Sequence, residues 1–321
     1  MQGKEENLEW ESRWALPVAT ATLVGVGLLV ASVFVGGSIG GDGEAEVLRS
    51  THEHSSAVTA TSLLQAFGFA LFALPLFYLF RAAQARSDRV RRQFVLLIVV
   101  APLFLAVSSG LSAAARNDAA STFVEGDAKP TLTRAEAKGD CVEERDELDA
   151  EDFAAEYEPK AGETALAACE DRQIADDAAI NARSEASAAA AVTGFGIGGA
   201  LGLAVALFYV GLWSMRTGLI GRFWASLGMA LGIAIIFGLF PLALVWFLYI
   251  ALLVGDWVPG GRPPAWEAGE AIPWPTPGEK AAEELEPDGE QPSPAGEESS
   301  ADQALGAERR KRKQRDSGES E

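Results

Sequence analysis

The sequence predicts an all-α protein: a polytopic transmembrane helix bundle of six spans (alternatively five), with a partly helical acidic extracytoplasmic insertion and a disordered C-terminal tail. Uncharged runs of about 18 residues or more recur along the chain, long enough for a helix to cross roughly 30 Å of hydrocarbon. Charged residues form 22% and hydrophobic residues 49% of the chain, yet the two kinds are segregated, whereas soluble amphipathic helices interleave them. The pattern lacks the short alternating strands of a membrane barrel.

The chain begins with a short segment, residues 1–13, predicted to be cytoplasmic, and the first span follows from Trp14 to Gly37. A signal peptide would carry basic residues before its apolar run and a small-residue cleavage site after it. The segment "MQGKEENLEWES" is mostly acidic, and no clear A-x-A site follows the run. An uncleaved first helix is therefore favoured over a signal peptide.

Spans two and three are predicted at residues 60–80 and 94–114, which completes a block of three spans over residues 14–114. The loop between them, "RAAQARSDRVRRQ", holds five arginines and one acid. Short loops this basic face the cytoplasm, so the N-terminus is expected inside the cell and residues 115–189 outside it. Pro75 and Pro102 fall within these spans and are expected to kink them.

Residues 115–189 form the predicted extracytoplasmic acidic insertion, which holds 20 acids against 8 lysines and arginines. From residue 162 onward the insertion is rich in good helix formers and has no proline. A helix is therefore expected to run from this segment straight into the fourth span.

The two cysteines of the chain, Cys141 and Cys169, both lie in this insertion. Outside the plasma membrane thiols are oxidised, and an even pair in one segment predicts a disulfide. Phe153, Tyr157 and Leu166 are the expected apolar core beside it. Two free thiols in a flexible loop, or an intermolecular bridge that makes a covalent dimer, are the alternatives.

Residues 190–258 contain the predicted spans four to six. The fourth span ends in a loop with Arg216 and Arg222 and no acid, which agrees with a cytoplasmic exit. The last apolar block, residues 223–258, would measure roughly 54 Å as one helix, so a turn is expected near Gly238 and Pro241. One long kinked fifth span is the alternative. If this block forms two spans, the C-terminus lies in the cytoplasm.

Residues 259–321 are predicted to be a disordered cytoplasmic tail because they are rich in Pro, Gly, Glu and Ser and poor in apolar residues. Two indoles near its start, Trp266 and Trp274, are expected to settle at the headgroup level of the inner membrane surface. The basic run "RRKRKQR" further on is expected to attract anionic lipid. A freely solvated tail is the alternative.

The glycines of "VTGFGIGGALGLAV" match the G-x-G-x-x-G pattern of dinucleotide sites at Gly194, Gly196 and Gly199. Such a site needs a preceding strand and an acid about 20 residues later, and this segment has neither, so no nucleotide cofactor is expected. The glycines also recur every fourth residue, which predicts a helix-packing ridge. The ridge consists of Gly194, Gly198 and Gly202, and a matching groove is expected at Gly228 and Gly232.

Chemistry-bearing residues are sparse. The spans carry no ionisable group at depth, and the most polar residues inside them are Gln65 and the serines of the Ser108–Ser112 segment, expected to bond between helices. His52 and His54 lack a third ligand at metal-site spacing. No catalytic motif, metal site or cofactor is predicted, and an enzyme is not favoured. The net charge of −19 disfavours nucleic-acid binding.

Two stretches of the chain resemble a known family. "MRTGLIGRFWASLGMALGI" and "GDWVPGGRPPAWEAGEAIPWPTP" are similar to uncharacterised six-span membrane proteins of high-GC Gram-positive, actinobacterial-type soil bacteria. Those proteins tend to carry R-x-G-L-x-x-R-F before the fifth helix and W-x-P-G-G-x-P-P-A-W after the sixth. The resemblance covers the spans and leaves out the acidic insertion and distal tail. It implies a bacterial plasma membrane and six spans, and no activity.

The function expected from the sequence is that of a structural or interaction protein of the plasma membrane. Its partners would be membrane lipids and proteins that contact the acidic insertion and the tail; the oligomeric state is left open. A transporter or channel for a neutral or lipidic solute is the alternative. A polar cavity at mid-membrane depth, near Gln65 or Ser108, would favour transport, and a packed interior would favour the first hypothesis.

Overall fold

The computed structural model describes residues 2–37, 40–157 and 159–274, and every long regular element in these ranges is a helix. The predicted tail from residue 275 onward lies outside the described residues. Twelve helices occur in the described ranges: α1 Gln2–Gly36, α2 Glu44–Glu53, α3 Ser55–Leu71, α4 Ala73–Arg86, α5 Phe94–Val124, α6 Arg134–Glu147, α7 Ala150–Tyr157, α8 Ala165–Glu185, α9 Ala189–Arg216, α10 Arg222–Ile236, α11 Phe240–Val254 and α12 Ala265–Ala268.

Four helical stretches are long and apolar enough to cross a membrane: Lys4–Gly36, Ser55–Arg86, Phe94–Val124 and Ala189–Arg216. They match the first four predicted spans, so the described residues form an all-helical structure with four candidate membrane spans. One end of this bundle carries the 81–93 loop, Arg216 and Arg222 and is called the arginine-rich end below. The other end carries α2, α6, α7, α8 and the last turns of α5, which together form the acidic domain.

The second stretch is two helices, α3 and α4, broken at Phe72. Pro75 explains the break, since proline has no N–H to bond the carbonyl four residues earlier and its ring collides with that carbonyl. The predicted kink is therefore confirmed at Pro75. Pro102 lies inside α5, which continues through it without interruption.

Close packing of α1 on α3 depends on two glycines that the sequence pattern did not single out. A methyl group on Gly25 would lie 3.2 Å from the carbonyl oxygen of Gly68, and one on Gly68 would lie 2.7 Å from Leu29 Cγ. The two backbones approach this closely because neither residue has a side chain.

The predicted glycine ridge of α9 packs against α5 rather than against α10. A methyl group on Gly202 would lie 2.8 Å from Ala101 Cβ, and one on Gly198 would meet Phe104 at 3.4 Å. Gly232 on α10 instead faces the Ala204 carbonyl, and Gly228 faces the indole of Trp246 on α11. The glycines of the ridge and groove therefore do not face one another: Gly198 and Gly202 face α5, whereas Gly232 faces α9 at Ala204 and Gly228 faces α11.

Gly232→Ala should destabilise the bundle, because its methyl group would lie 2.7 Å from the Ala204 carbonyl oxygen, where backbone must move. Overpacking of this kind costs about 1–3 kcal/mol. Gly194→Ala is the matched control, since a methyl group there meets no described atom within 4 Å. The thermal midpoint of the detergent-purified protein should fall for the first variant only. Equal midpoints for both would contradict this account of the contact.

The last apolar block folds back on itself as the hairpin α10–α11. Gly238 adopts the left-handed conformation at φ 79°, which glycine tolerates without strain, and Pro241 lies in the first turn of α11, where its missing N–H has no partner to lose. Trp246 Nε1 donates to the Trp224 carbonyl at 2.9 Å and joins the two helices. The predicted turn is confirmed, and a single kinked helix does not form.

The hairpin is shorter than the other membrane-type helices. Each arm has 15 residues, or roughly 22 Å. Gly36 at the end of α1 contacts Thr61, whereas Phe240 at the start of α11 contacts Phe69, with ring centroids 4.9 Å apart. Eight residues of helix separate Thr61 from Phe69, roughly 12 Å. The hairpin thus starts at the arginine-rich end and stops about that far short of the end of α1.

The helix that precedes the fourth span is interrupted, contrary to the expectation of one continuous helix. The last helix of the acidic domain, α8, ends at Glu185, and α9 begins at Ala189. Ala186 has an extended ψ of 135°, and the Ser187 N–H donates to Asp118 Oδ2 at 2.8 Å. The carboxylate of Asp118 on α5 compensates for the helical bond lost at this break.

Residues 262–274, called the strap below, pack across the arginine-rich end, although composition assigned them to the disordered tail. Trp266 is buried and its indole donates to the Leu219 carbonyl at 2.9 Å. The Trp274 indole donates to the Ile220 carbonyl at the same distance. The predicted tail boundary at residue 259 is corrected accordingly, because indole burial and these hydrogen bonds outweigh the polar composition.

Candidate functional site

The acidic domain is continuous with the bundle through α5, which runs from the arginine-rich end into the domain without a break. Small residues of α2, α5 and α8 form the core at this junction: Ala45, Leu48, Ala119, Ala120, Ala179 and Ala182. Because most of these side chains are single methyl groups, the three helices approach closely. The domain is thereby held on the bundle by a shared helix and a packed core.

A second small core surrounds the disulfide, which joins Cys141 on α6 to Cys169 on α8 with a Cα–Cα distance of 6.0 Å. Phe153 of α7 is buried against it, with Tyr157 and Leu166 packed around the cluster. The intramolecular bridge and its apolar neighbours are those expected from the sequence. Burial and a 2.6 Å hydrogen bond to Glu144 raise the pKa of the Tyr157 phenol.

Two neighbouring aspartates of α8 accept hydrogen bonds from backbone N–H groups. Asp176 Oδ1 accepts the Ala45 N–H at 2.8 Å, so its charge lies at the N-terminus of α2, where the helix dipole favours an anion. Asp177 Oδ2 accepts the N–H groups of Thr131 and Leu132 at 2.5 and 2.9 Å. The Leu132 bond in particular lowers the pKa of Asp177.

A cleft of about 870 Å³ lies between α2, α7 and α8 on the acidic domain. Its walls hold six acids against three basic residues, a local excess of three negative charges. The acids are Asp42, Glu46, Glu156, Glu163, Asp171 and Asp176, and the basic residues are Arg49, Lys160 and Arg172. A groove lined this way attracts cationic groups and repels anionic ones.

Arg172 ties the sides of the cleft together. Its guanidinium donates to the Asp42 carbonyl and, at 3.3 Å, to the Glu156 carbonyl, and it lies over the Tyr157 ring at 5.7 Å. Three segments that are distant in the sequence therefore meet at one side chain. Asp171 pairs with Arg134, and Glu46, Glu163 and Asp176 accept backbone N–H groups. The other two acids of the cleft form no ion pair among the described residues.

The remaining sequence candidates lie elsewhere. His54 Nδ1 is 3.0 Å from the Ser50 carbonyl, and within the described ranges no group of three or more His, Cys, Asp or Glu residues is arranged to hold a metal ion. The Gly194–Gly202 motif lies inside α9, with α5 beside it and no strand before it. Neither place provides a metal or phosphate site of the kind the motifs suggest.

The serines Ser62, Ser108 and Ser112 lie in the half of the bundle nearer the acidic domain, where they bond to one another and to neighbouring backbone. Ser62 Oγ and Ser112 Oγ are 3.0 Å apart, and Ser108 Oγ donates to the Val192 carbonyl at 2.8 Å. About ten residues further along the α3–α4 stretch, Phe72 and Phe247 stack with ring centroids 3.9 Å apart. The serine hydroxyls are thus bonded to protein groups, and the aromatic stack packs the bundle further from the acidic domain.

A buried ion pair at the arginine-rich end was missed by the sequence analysis. Arg86 donates to both carboxylate oxygens of Glu11, at 2.5 and 2.9 Å, and the side chains are only 1% and 6% exposed. Arg86 Nε also donates to the Ala265 carbonyl of the strap at 3.0 Å. Both residues lie in polar segments whose composition predicts solvent exposure. Composition does not indicate which charged residues pair in the folded chain.

Aromatic rings surround this ion pair. Tyr78 stacks between Trp10 and Trp266, with centroids 5.4 and 5.9 Å away, and its hydroxyl donates to the Glu11 carbonyl at 2.9 Å. The Arg86 guanidinium lies 5.5 Å from the Trp266 ring centroid, within range of a cation–π contact. The cluster joins α1, α4 and the strap, so it fixes the relative positions of three separate segments.

Comparisons with protein-family models, with curated proteins and with solved structures find no match to this chain.

Proposed function

We propose that this protein is an interaction protein of a bacterial plasma membrane that presents its acidic domain, on a rigid helical base, to a basic segment of a partner outside the cell. The observation that carries the proposal is the continuity of α5, which belongs both to the bundle and to the core of the acidic domain. A cleft mounted in this way keeps a fixed position relative to the membrane. Its excess of carboxylates gives the expected partner chemistry.

The proposed topology has six spans, with α10 and α11 as the fifth and sixth, and both termini in the cytoplasm. The basic loop at residues 81–93 supports this orientation through the positive-inside rule, and the family resemblance supports the bacterial plasma membrane. The strap lies beside Arg86, so the chain after α11 shares a side with that loop. This holds equally if the short hairpin stops inside the bilayer.

Topology is tested by single cysteines introduced at exposed Arg89 and Glu267, and at exposed Lys138 of the acidic domain. The parent chain gives the background, since its own cysteines are bridged. In intact cells a membrane-impermeant thiol reagent should label the Lys138 position and leave the other two unlabelled until the membrane is permeabilised. Labelling of Arg89 and Glu267 with protection of Lys138 would invert the orientation and overturn the proposal.

The partner chemistry is tested with a ten-residue oligolysine peptide and the full-length protein in nanodiscs. Glu156→Gln with Asp171→Asn removes two charges from the cleft, and Glu143→Gln with Glu147→Gln removes two from exposed positions of α6 that do not line it. Each charge at such a site contributes about 0.2–1 kcal/mol, so the cleft variant should weaken binding by about two- to thirtyfold. Equal weakening by both pairs would indicate diffuse surface charge instead.

Solute transport, the second hypothesis, has its own measurement. Proteoliposomes that contain the wild-type protein should release small neutral solutes no faster than protein-free liposomes, because the Ser108 and Ser112 hydroxyls are bonded to protein carbonyls and the Phe72–Phe247 stack packs the bundle further along. Release above the protein-free rate that disappears on substitution of Ser108 would favour transport over an interaction role.

A further inference from the structure

The arginine-rich end contains a cavity of about 730 Å³ to which the proposed interaction function assigns no role. Its walls come from the ends of α4 and α9, the start of α10, and the strap. Cavities of this size hold small molecules or parts of larger ones. The polar and charged lining residues include Arg86, Ser87, Arg89, Arg216, Thr217, Arg222 and Ser226, and the indoles of Trp213 and Trp274 complete two sides.

Four of the lining residues are arginines, and none is an aspartate or glutamate. The guanidinium of Arg86 is already bound by Glu11 and the strap, and Arg222 Nη2 donates to the Trp274 carbonyl at 2.9 Å. Arg89 and Arg216 form neither an ion pair nor a side-chain hydrogen bond within the described ranges. Both residues are exposed, so their guanidinium groups are accessible to an anion that enters the cavity.

The strap forms one wall of the cavity, and its close approach to the loop after α9 depends on one glycine. Gly218 has φ 76°, and a methyl group on it would lie 2.0 Å from the Ile272 carbonyl oxygen. The Ile272 N–H donates to the Thr217 carbonyl at 3.3 Å, and the Trp274 indole donates to the Ile220 carbonyl. The loop after α9 and the strap are therefore joined by backbone and indole contacts, which makes this wall part of the fold.

The cavity lies at the level expected for lipid headgroups. Seven of the eight tryptophans of the chain belong to this end: Trp10, Trp14, Trp213, Trp224, Trp257, Trp266 and Trp274. Indoles concentrate at the membrane–water interface because their rings are apolar and their N–H groups need a partner. Arg216 itself lies over the Trp213 ring at 5.4 Å, so its charge is held at the depth of this aromatic belt.

From the charge, the uncommitted guanidinium groups and the depth, we propose that this cavity binds the phosphate group of an anionic phospholipid headgroup through Arg89 and Arg216, with Arg222 as a third donor. Guanidinium groups bind phosphate oxygens in pairs of parallel hydrogen bonds. A soluble phosphate ester offers the same chemistry, and the experiment separates the two sources. The inference uses only the arginine-rich end and is independent of the acidic cleft.

The test is native mass spectrometry of the full-length protein, titrated in detergent with phosphatidylglycerol, phosphatidylcholine or glycerol 3-phosphate. Arg89→Gln with Arg216→Gln removes the two uncommitted charges and leaves the hydrogen bonds of the strap intact. Arg13→Gln with Arg91→Gln is the matched control. These substitutions also remove two positive charges from the arginine-rich end, and neither residue lines the cavity. The first pair should reduce phosphatidylglycerol binding by about tenfold or more, and the control pair should change it little.

The binding results are interpreted for variants that keep the wild-type thermal midpoint. A preference for phosphatidylglycerol over phosphatidylcholine that the cavity variant abolishes supports a lipid site. Arginine-dependent binding of glycerol 3-phosphate without any lipid preference supports the phosphate site and assigns it to a soluble ester. Equal losses in the cavity and control variants, or no arginine-dependent binding of either phosphate, would overturn the proposal. If the cavity variant has a lowered midpoint, the single variants Arg89→Gln and Arg216→Gln replace it, and each should weaken phosphatidylglycerol binding; unchanged binding in both would overturn the proposal.

Discussion

Glu11→Leu is expected to lower the stability of the membrane bundle more than any other single change considered for this protein. The substitution leaves the guanidinium of Arg86, which is 1% exposed, without its carboxylate partner. A buried charge that loses its partner costs about 3–5 kcal/mol. For a protein of this size that loss corresponds to a fall of about 10 °C in the thermal midpoint.

The measurement is the thermal midpoint of the detergent-purified protein, and Lys4→Ala provides the control. Lys4 and Glu270 also join α1 to the strap, at 3.6 Å, but their side chains are 47% and 69% exposed. Exposed pairs contribute about 0–1 kcal/mol, so the midpoint should hardly move. Similar midpoints for Glu11→Leu and Lys4→Ala would show that the buried pair has no special role.

A double substitution separates a missing partner from a damaged fold. Glu11→Leu with Arg86→Met replaces the whole ion pair by apolar side chains, and such replacements are often neutral or stabilising. The double variant should therefore regain at least half of the stability lost by Glu11→Leu. The recovery of stability should be incomplete, because the Ala265 carbonyl loses the Arg86 N–H that donates to it. A double variant less stable than Glu11→Leu would contradict the ion-pair explanation.

Cys141→Ala with Cys169→Ala is expected to loosen the acidic domain while the bundle remains folded. The bridge links residues 28 positions apart, for which the chain-entropy estimate gives about 3.5 kcal/mol. The core that remains around it is small, with Phe153 as its main buried side chain. Helices α6 and α7 pack mainly on α8, and no extensive contact joins them to the helices of the bundle, so they should detach first.

Hydrogen exchange of the unreduced and variant proteins measures this effect region by region. Exchange should accelerate by about a hundredfold in residues 134–157, and much less in α5 and α9, whose contacts do not involve the bridge. A Gly139→Ala variant is a suitable control, because a methyl group there meets no described atom within 4 Å. Unchanged exchange in residues 134–157 of the cysteine variant would mean that the bridge constrains nothing there.

Much of the organisation follows from the sequence because membrane insertion depends on local properties. Length and hydropathy of continuous segments predict the four long helical stretches, and Gly238 with Pro241 predicts the turn of the hairpin. The cysteine pair and its neighbours Phe153 and Tyr157 were predictable from their isolation in one acidic segment. In each case the deciding residues are close together in the chain.

Only the tertiary structure decided which surfaces meet, because those contacts join residues far apart in the chain. The Glu11–Arg86 pair spans 75 positions, and its two charges look solvated until α1, α4 and the strap enclose them. Gly198 and Gly202 of α9 pack on α5 and not on the glycines of α10, since a helix face of small residues can pack against several different neighbours. The strap is polar in composition, yet indole hydrogen bonds hold it. Hydropathy determines which segments leave water, whereas shape and hydrogen bonding determine their neighbours.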